Sequence, residues 1–299
     1  MNHIWLFMAS GDSLYAGAGL LLLAVATARQ LKQRWLAVLR RVTIFVALTM
    51  TVMASPPFSW LVDGMFLAAF SVWVVTSTPS IAGWKPAKMH LAAAAVLIIL
   101  LVVLPAVELL HRAMPVVTGE RGDHIAVIGD SISSGLDPRV VSWPVVLQRN
   151  TGAAVKNLAL PGALTAEERT MAQKVAPEDS IVVIEIGGND LLEGTPSNAF
   201  EVNLEALLAQ ISKPGRTVVM FELPLLPHRI AYGRFQRRLA VKHHVFLIPK
   251  HFFTDVLSAP GATLDGLHLS DVGAHRMADL VARVLAPVLK TNPAEKHAS

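Results

Sequence analysis

Apolar and polar positions follow two different patterns along this chain. The first part has long apolar runs separated by short polar segments, at residues 4–28, 42–58, 60–78 and 89–110. From residue 124 onward, short β-branched runs alternate with stretches in which apolar residues recur every three to four positions. Runs of about 20 apolar residues are typical of membrane-spanning helices, and the second pattern is typical of strands alternating with helices. We therefore predict a transmembrane helical region, an α/β domain and a C-terminal tail, at residues 1–118, 119–290 and 291–299.

The four apolar runs differ in how well they match a membrane-spanning length. The run at residues 89–110 is the strongest, and residues 4–28 reach a sufficient length although Asp12 interrupts them. The two middle runs are short and are separated by Pro56 and Pro57, so two tilted helices or a re-entrant hairpin would explain them equally. We predict about four spans, with three as the alternative.

The distribution of charge predicts an orientation in the membrane. Basic residues cluster after the first predicted span and before the last, at Arg29, Lys32, Arg34, Arg40, Arg41, Lys85 and Lys88. Positively charged loops stay on the cytoplasmic side, so four spans would place the α/β domain on the extracytoplasmic side of the inner or plasma membrane. Because the basic excess lies in these loops, we do not expect nucleic acid as a partner. We interpret the membrane part as an anchor.

Composition excludes several kinds of chemistry. The chain has no cysteine, which rules out disulfides, thiolate metal ligands and a cysteine nucleophile. No pair of histidines has a zinc-binding spacing together with a third ligand. We therefore predict neither a metal site nor a cofactor.

The second pattern predicts a doubly wound α/β fold. Five strands are predicted at residues 124–129, 155–160, 180–187, 216–222 and 244–248. Helices are predicted at residues 138–150, 164–176, 200–211, 230–242 and 271–289. Strands that are apolar throughout and are each followed by a helix indicate a parallel sheet covered on both faces, which makes three α/β/α layers. Ligand sites in such folds lie at the carboxyl ends of the strands.

Residues able to carry catalysis follow three of these strands. Ser131 follows the first strand, Gly162 the second and Asn189 the third, so we expect all three at one edge of the sheet. Near the C-terminus, Asp265 and His268 stand three residues apart. A histidine can remove the proton of a serine hydroxyl, and a carboxylate can orient that histidine. The backbone N–H groups of Ser131 and Gly162 and the side-chain amide of Asn189 could stabilise an oxyanion.

Four sequence blocks surround these residues: Gly129-Asp130-Ser131, Asn157-Leu158-Ala159-Leu160-Pro161-Gly162, Gly187-Gly188-Asn189-Asp190 and Asp265-Gly266-Leu267-His268-Leu269-Ser270. In this order they resemble the blocks of a known family, the SGNH (GDSL-type) hydrolases. The resemblance covers roughly residues 122–288 and none of the membrane part. One departure is Ile132, where the name-giving motif has leucine.

The resemblance implies both a fold and a set of roles. It implies a flavodoxin-like three-layer domain with a five-stranded parallel sheet, in an esterase, lipase, thioesterase or carbohydrate deacetylase that needs no cofactor. Ser131 would be the nucleophile, His268 the base and Asp265 the residue that orients the histidine. The oxyanion hole would be formed by Ser131, Gly162 and Asn189.

We therefore expect a membrane-anchored serine esterase that hydrolyses carboxylic esters through an acyl-enzyme on Ser131. The expected substrates are O-acyl groups on envelope glycans or lipid-derived esters, because anchoring confines the enzyme to the membrane surface. An acyltransferase that moves an acyl group to a glycan hydroxyl is one alternative. A non-catalytic envelope-binding or assembly module is another. Acyl chain length, substrate-binding residues, protein partners and oligomeric state stay open.

A second Gly-Asp-Ser-Leu sequence, at residues 11–14, is not expected to be catalytic. It precedes an apolar span and follows no strand of the sheet, so Asp12 or Ser13 is expected to cap the first helix.

Other polar residues near the predicted site receive weaker expectations. Ser133, Ser134 and Arg139 lie close to the mouth of the expected site and could contact substrate. Glu185 and Glu222 interrupt apolar strands and are assigned no role.

Overall fold

The computed structural model describes residues 3–27, 34–54, 56–77, 87–135, 137, 139–225 and 229–290. These residues form two compact units. One is a helical unit within residues 7–113, and the other is an α/β unit made mainly of residues 114–225 and 231–290. The main boundary therefore lies just after the last long apolar helix.

As far as it is described, the N-terminal part of the chain forms five helices: α1 (His3–Ala9), α2 (Ser13–Ala26), α3 (Arg34–Met53), α4 (Trp60–Ser77) and α5 (Ala87–Leu110). Helices α3, α4 and α5 are long and apolar enough to cross a membrane, whereas α2 has only 14 residues. Many of their apolar side chains are exposed, such as Phe45 at 71% and Leu110 at 78%. Helices that are apolar on all sides are typical of membrane spans, so these three are compatible with membrane anchoring.

The observed helices differ from the predicted spans at two places. The first predicted span is divided, because a turn at residues 10–12 separates α1 from α2 and Gly11 has a φ of 86° there. The second begins earlier than expected, so Arg40 and Arg41 lie within α3 and not in a loop. Long arginine side chains can extend along an apolar helix towards its polar end, which reconciles these charges with an apolar helix. At the two short middle runs the structure has two long helices, α3 with 20 residues and α4 with 18, each long enough to cross a membrane.

An apolar core and a close helix–helix contact at a glycine stabilise the helical unit. Leu21, Trp73 and Leu97 form part of its buried core. A Cβ atom on Gly17 would lie 2.5 Å from the Thr51 hydroxyl of α3, so only glycine permits this approach of α2 to α3. The close packing of α2 on α3 therefore depends on glycine at position 17.

The α/β unit contains a five-stranded parallel sheet, as predicted. Its strands are β1 (His124–Gly129), β2 (Ala154–Asn157), β3 (Ile181–Glu185), β4 (Thr217–Phe221) and β5 (Phe246–Ile248). The strand order is β2-β1-β3-β4-β5, and every neighbouring pair is parallel. The order reverses at β1, so the carboxyl ends of β1 and β3 border the crevice in which such folds bind ligands.

Helices cover both faces of this sheet. They are α6 (Ser131–Ser134), α7 (Trp143–Thr151), α8 (Thr165–Ala172), α9 (Gly188–Glu193), α10 (Ser197–Ile211), α11 (Ile230–Lys242), α12 (Lys250–Ser258) and α13 (Asp271–Leu285). Alternate residues of the central strands enter two separate cores. Ile125 and Val127 pack with α7 and α13, whereas Ala126 and Ile128 pack with α10 and α11. The three-layer α/β/α prediction is confirmed.

The boundaries of several elements differ from the predictions. The second strand is shorter than predicted and ends at Asn157, so Leu160 lies in a loop. The helix predicted from residue 138 begins at Trp143, and residue 138 itself lies outside the described residues. Three helices were not predicted: α6, α9 and α12. Two of them have only four and six residues, too few for a periodic apolar pattern to indicate them.

Candidate active site

The predicted catalytic residues lie at the carboxyl edge of the sheet. Ser131 is the first residue of α6, directly after β1, and Asn189 lies in the first turn of α9, shortly after β3. Gly162 lies in the loop that follows β2, and its φ of 76° is a backbone conformation that favours glycine. Short helices that start at strand ends therefore present Ser131 and Asn189 from one edge.

The structure brings Ser131, His268 and Asp265 into one hydrogen-bonded chain. The Oγ atom of Ser131 lies 3.1 Å from Nε2 of His268. The Nδ1 atom of His268 lies 2.6 Å from Oδ2 of Asp265. Because an ionised carboxylate only accepts hydrogen bonds, Nδ1 of His268 carries the proton. Nε2 is then the acceptor for the hydroxyl of Ser131, which is the arrangement needed for proton removal.

A tight loop before α13 orients Asp265 towards the imidazole. Its Oδ1 atom accepts hydrogen bonds from the backbone N–H groups of Leu267, at 3.0 Å, and His268, at 2.9 Å. The hydrogen bond from the His268 ring, followed by these two N–H groups, holds the pKa of Asp265 well below its usual range. Gly266, with a φ of 94°, allows the chain to turn back. Asp265 is therefore an ionised acceptor although its side chain is 51% exposed.

The three expected oxyanion donors have different environments. Within the described part of the chain, no acceptor binds the backbone N–H of Ser131 or that of Gly162. The amide Nδ2 of Asn189 donates to Oδ2 of Asp130 at 3.3 Å and to the carbonyl oxygen of Ala163 at 3.1 Å. Two N–H groups are thus available for a ligand. The third donor, the amide of Asn189, already binds two acceptors, and an incoming oxyanion would have to share it with them.

Asp190 links two of the predicted sequence blocks. Its Oδ2 atom accepts hydrogen bonds from the backbone N–H of Thr165 at 2.9 Å and from the Thr165 hydroxyl at 2.8 Å. Thr165 begins α8, three residues after Gly162, and Asp190 follows Asn189. This buried contact therefore fixes the loop of Gly162 relative to Asn189.

Of the three residues expected to contact substrate, one points into the core and another is paired at the surface. Ser133 is fully buried, accepts a hydrogen bond from Nε1 of Trp143 at 3.1 Å and donates to Oε2 of Glu185 at 2.8 Å. Arg139 is paired with Asp137 and its side chain is 88% exposed. The expectation of substrate contact is wrong for Ser133, because a helical turn directs it into the core.

The two glutamates that interrupt apolar strands have different surroundings. Glu222 follows β4, and its carboxylate contacts Nε of Arg237 at 2.6 Å and the backbone N–H of Lys250 at 3.1 Å. It thus ties β4 to α11 and α12. Glu185 ends β3 and faces Asp130 and Ser133 beneath the candidate site. In the sequence, the position of each glutamate within an apolar strand was the signal that could have indicated a buried acid with polar partners.

Four buried carboxyl groups lie close to one another behind Ser131: Asp130, Glu168, Glu185 and Asp190. Burial raises the pKa of Asp130, and it raises the pKa of Glu185 well above its usual value. Burial, followed by the nearby Asp130, raises the pKa of Glu168 to about 9. Neither oxygen of Glu168 has a hydrogen-bond partner among the described residues. Glu168 is therefore a neutral acid at pH 7, and the raised pKa of Glu185 favours its neutral form, which limits the negative charge behind the site.

Comparison with known proteins identifies the class of this enzyme. A profile of the GDSL-like Lipase/Acylhydrolase family matches residues 127–276, about half of the chain. The chain therefore belongs to this family, and it is a carboxylic ester hydrolase. The matched residues include Ser131, Gly162, Asn189, Asp265 and His268 and begin after the helical unit.

Individual relatives match slightly more than half of the chain. An arylesterase of Vibrio mimicus is 27% identical over 183 residues, which are 56% of this chain and 90% of the relative. The esterase TesA of Pseudomonas aeruginosa is 27% identical over 181 residues, which are 55% of this chain and 89% of the relative. A crystal structure of TesA, at 28% identity, covers 56% of this chain and 99% of its own, with a TM-score of 0.49.

Proposed function

We propose that this protein is a membrane-anchored serine esterase in which Ser131 forms an acyl-enzyme. Residues 1–118 would be the membrane part and residues 119–290 the hydrolase domain. The single observation that carries the assignment is the hydrogen-bonded chain from Ser131 Oγ through His268 to Asp265, at 3.1 and 2.6 Å. A bare serine hydroxyl is a weak nucleophile, and this arrangement provides the base that activates it.

In the first half of the proposed reaction, Ser131 Oγ attacks the carbonyl carbon of the ester. His268 Nε2 takes the hydroxyl proton, and Asp265 stabilises the imidazolium that results. The negative charge on the former carbonyl oxygen is bound by the N–H groups of Ser131 and Gly162 and by the amide of Asn189. When this tetrahedral intermediate collapses, His268 gives its proton to the departing alcohol, and an acyl group remains on Ser131.

In the second half, water enters where the alcohol left. His268 Nε2 takes a proton from the water, which attacks the acyl carbon and forms a second tetrahedral intermediate. The same donors bind its oxyanion. His268 then returns the proton to Ser131 Oγ, and the carboxylic acid departs. Because the pKa of Asp265 lies well below its usual range, its carboxylate stays ionised throughout this cycle.

The proposed location and substrates follow from the helical unit. Three helices have the length and composition of membrane spans, and basic residues cluster near the start of α3. We propose that the hydrolase domain lies outside the cytoplasm and acts on O-acyl groups of envelope glycans or on lipid-derived esters. Protease added to intact spheroplasts should cleave the hydrolase domain. Protection of that domain until the membrane is opened would contradict this side.

An active-site probe tests the nucleophile directly. A fluorophosphonate reacts with an activated serine and leaves an inert hydroxyl unmodified, so peptide mapping of the labelled full-length protein should find the label on Ser131. Labelling elsewhere, or none, would remove the proposed assignment. Analysis of products formed from an O-acetylated glycan should find free acetate. Acetyl transfer to an added sugar acceptor would instead establish the acyltransferase.

A further inference from the structure

Glu185 lies directly beneath the elements that carry the proposed nucleophile and one oxyanion donor. It is the last residue of β3, and its side chain is 2% exposed. Its Oε2 atom accepts a hydrogen bond from the Ser133 hydroxyl at 2.8 Å. Its carboxyl group also lies beside the carboxyl group and the backbone N–H of Asp130. Glu185 therefore supports both ends of the short segment from Asp130 to Ser133.

Asp130 in turn holds two parts of the site. Its Oδ1 atom accepts a hydrogen bond from the backbone N–H of Ile132 at 2.9 Å, which caps the helix that begins with Ser131. Its Oδ2 atom accepts from Nδ2 of Asn189 at 3.3 Å. A shift of the Asp130 carboxylate would therefore move both the nucleophile and the side-chain donor of the oxyanion hole.

The contact between two carboxyl groups requires a proton. Burial raises the pKa of Glu185 well above its usual value, and the adjacent Asp130 raises it further. Because two carboxylates in contact repel each other, the pair holds one proton at neutral pH. Glu185 then donates to Asp130, and the pair carries one negative charge. This matters because a fully charged pair would compete with the oxyanion for the amide hydrogens of Asn189.

We propose that Glu185 is a positioning residue for ester hydrolysis, acting as a neutral hydrogen-bond donor that holds Asp130 and, through it, Ser131 and Asn189. This inference rests on the proposed function and assigns a role to a residue that does not touch substrate. Full kcat then requires the hydrogen-bond donor and the shape of the Glu185 side chain, and it does not require that Glu185 ionise.

Two substitutions of similar volume separate these requirements. In Glu185→Gln, the amide donates to Asp130 and its oxygen accepts from Ser133, so kcat for p-nitrophenyl acetate should stay within about 3-fold of the unmodified protein. In Glu185→Met, both hydrogen bonds are lost, so kcat should fall on the order of 10-fold or more while KM changes little. Equal losses in the two variants, or no loss in either, would overturn the proposal.

A double-mutant cycle tests whether Glu185 acts through Asn189. If it does, adding Glu185→Met to an Asn189→Ala protein should lower kcat by a much smaller factor than adding it to the unmodified protein. A general weakening of the fold would instead give the same factor in both backgrounds, and that result would contradict a positioning role.

Controls distinguish this inference from neighbouring explanations. Glu222 is a buried glutamate at the end of the adjacent strand, and it contacts Arg237 and not Asp130. Glu222→Gln should therefore change kcat by the same factor in the Asn189→Ala protein and in the unmodified protein. If Glu185→Met fails to fold by circular dichroism, Glu185→Asp replaces it. Its shorter carboxyl cannot reach Asp130 and Ser133 together, so kcat should fall at least about 3-fold, and unchanged kcat would overturn the proposal. Full activity in Ser131→Ala would refute the proposed function itself.

Discussion

The tripeptide Gly-Asp-Ser occurs twice in this chain, at residues 11–13 and 129–131, and the two copies have opposite surroundings. Ser13 lies in the first turn of α2, is fully buried and has no hydrogen-bond partner among the described residues. Ser131 follows a strand of the sheet, is partly exposed and lies 3.1 Å from an imidazole. The serine of this tripeptide is thus a buried packing residue in one copy and a candidate nucleophile in the other.

The two aspartates of these copies differ as much as the serines. Asp12 stands at the N-cap position of α2 but makes no side-chain cap, so the capping expectation is wrong in that respect. It pairs with Arg112 at 2.7 Å and accepts from the Ser10 hydroxyl at 2.8 Å. Asp130 does cap its helix and also holds Asn189. A motif therefore acquires chemistry only from the elements that surround it.

The largest expected difference lies between the two serines. Ser131→Ala should lower the rate of p-nitrophenyl ester hydrolysis by at least about 10³-fold, because no other group replaces the attacking oxygen. Ser13→Ala removes the equivalent atom from the other copy and should leave the rate unchanged. Steady-state kinetics on the two full-length variants measures this. Equal rates of hydrolysis in the two variants would show that Ser131 is not the nucleophile.

The orienting acid should have the next largest effect. Asp265→Asn cannot hold His268 with its proton on Nδ1, so kcat should fall by about 10²–10⁴-fold with little change in KM. The protein should keep its fold, because the residue is half exposed and lies in a surface loop. Circular dichroism serves as the control for folding. A loss below 10-fold would show that His268 is oriented by other contacts.

A smaller effect is expected for the two aspartates. Asp130→Asn places an NH₂ group against the amide of Asn189 or the N–H of Ile132, and one lost buried hydrogen bond corresponds to about 1–2 kcal/mol, or roughly 10-fold in kcat. Asp12→Asn removes the charge that pairs with Arg112, while its remaining oxygen can accept from the Ser10 hydroxyl, so kcat should change by less than about 2-fold. Measuring kcat for both variants sharpens the comparison. A larger loss of kcat in Asp12→Asn than in Asp130→Asn would contradict the assignment of Asp130 to the active site.

The smallest effect is on stability and depends on pH. Folding raises the pKa of Glu168 from 4.5 to about 9, so above pH 4.5 the folded state binds a proton that the unfolded state has released. The free energy of unfolding therefore falls as pH rises from about 4.5 to 9. Glu168→Gln should remove this loss, raising Tm by several degrees at pH 8.5 and by less than about 2 °C at pH 5.

Glu193→Gln alters an exposed acid on α9 and should change Tm at neither pH. Thermal unfolding followed by circular dichroism at the two pH values compares the variants. A gain in Tm for Glu168→Gln at pH 5 that equals the gain at pH 8.5 would contradict a protonated Glu168.

Much of the fold could be predicted from local pattern. The strand from His124 to Gly129 and the helix from Ile230 to Lys242 were predicted with their observed bounds, because a run of buried apolar residues and an amphipathic repeat are both local signals. The short helix at Ser131 could not be predicted, because four residues contain no period. Its start is set by the Asp130 carboxylate, a contact that depends on the turn after β1.

By itself, the sequence determined the division between long apolar helices and an alternating α/β region, and it determined which residues follow strands or precede the last helix. These are local properties, since side-chain periodicity and chain length set them. Only the tertiary structure decided that Ser131 contacts His268, 137 residues away. It also decided that Glu185 and Asp130 meet beneath Ser131. Both depend on parallel strands whose carboxyl ends come together, and the burial created there changes the proton affinity of acids that look ordinary in the sequence.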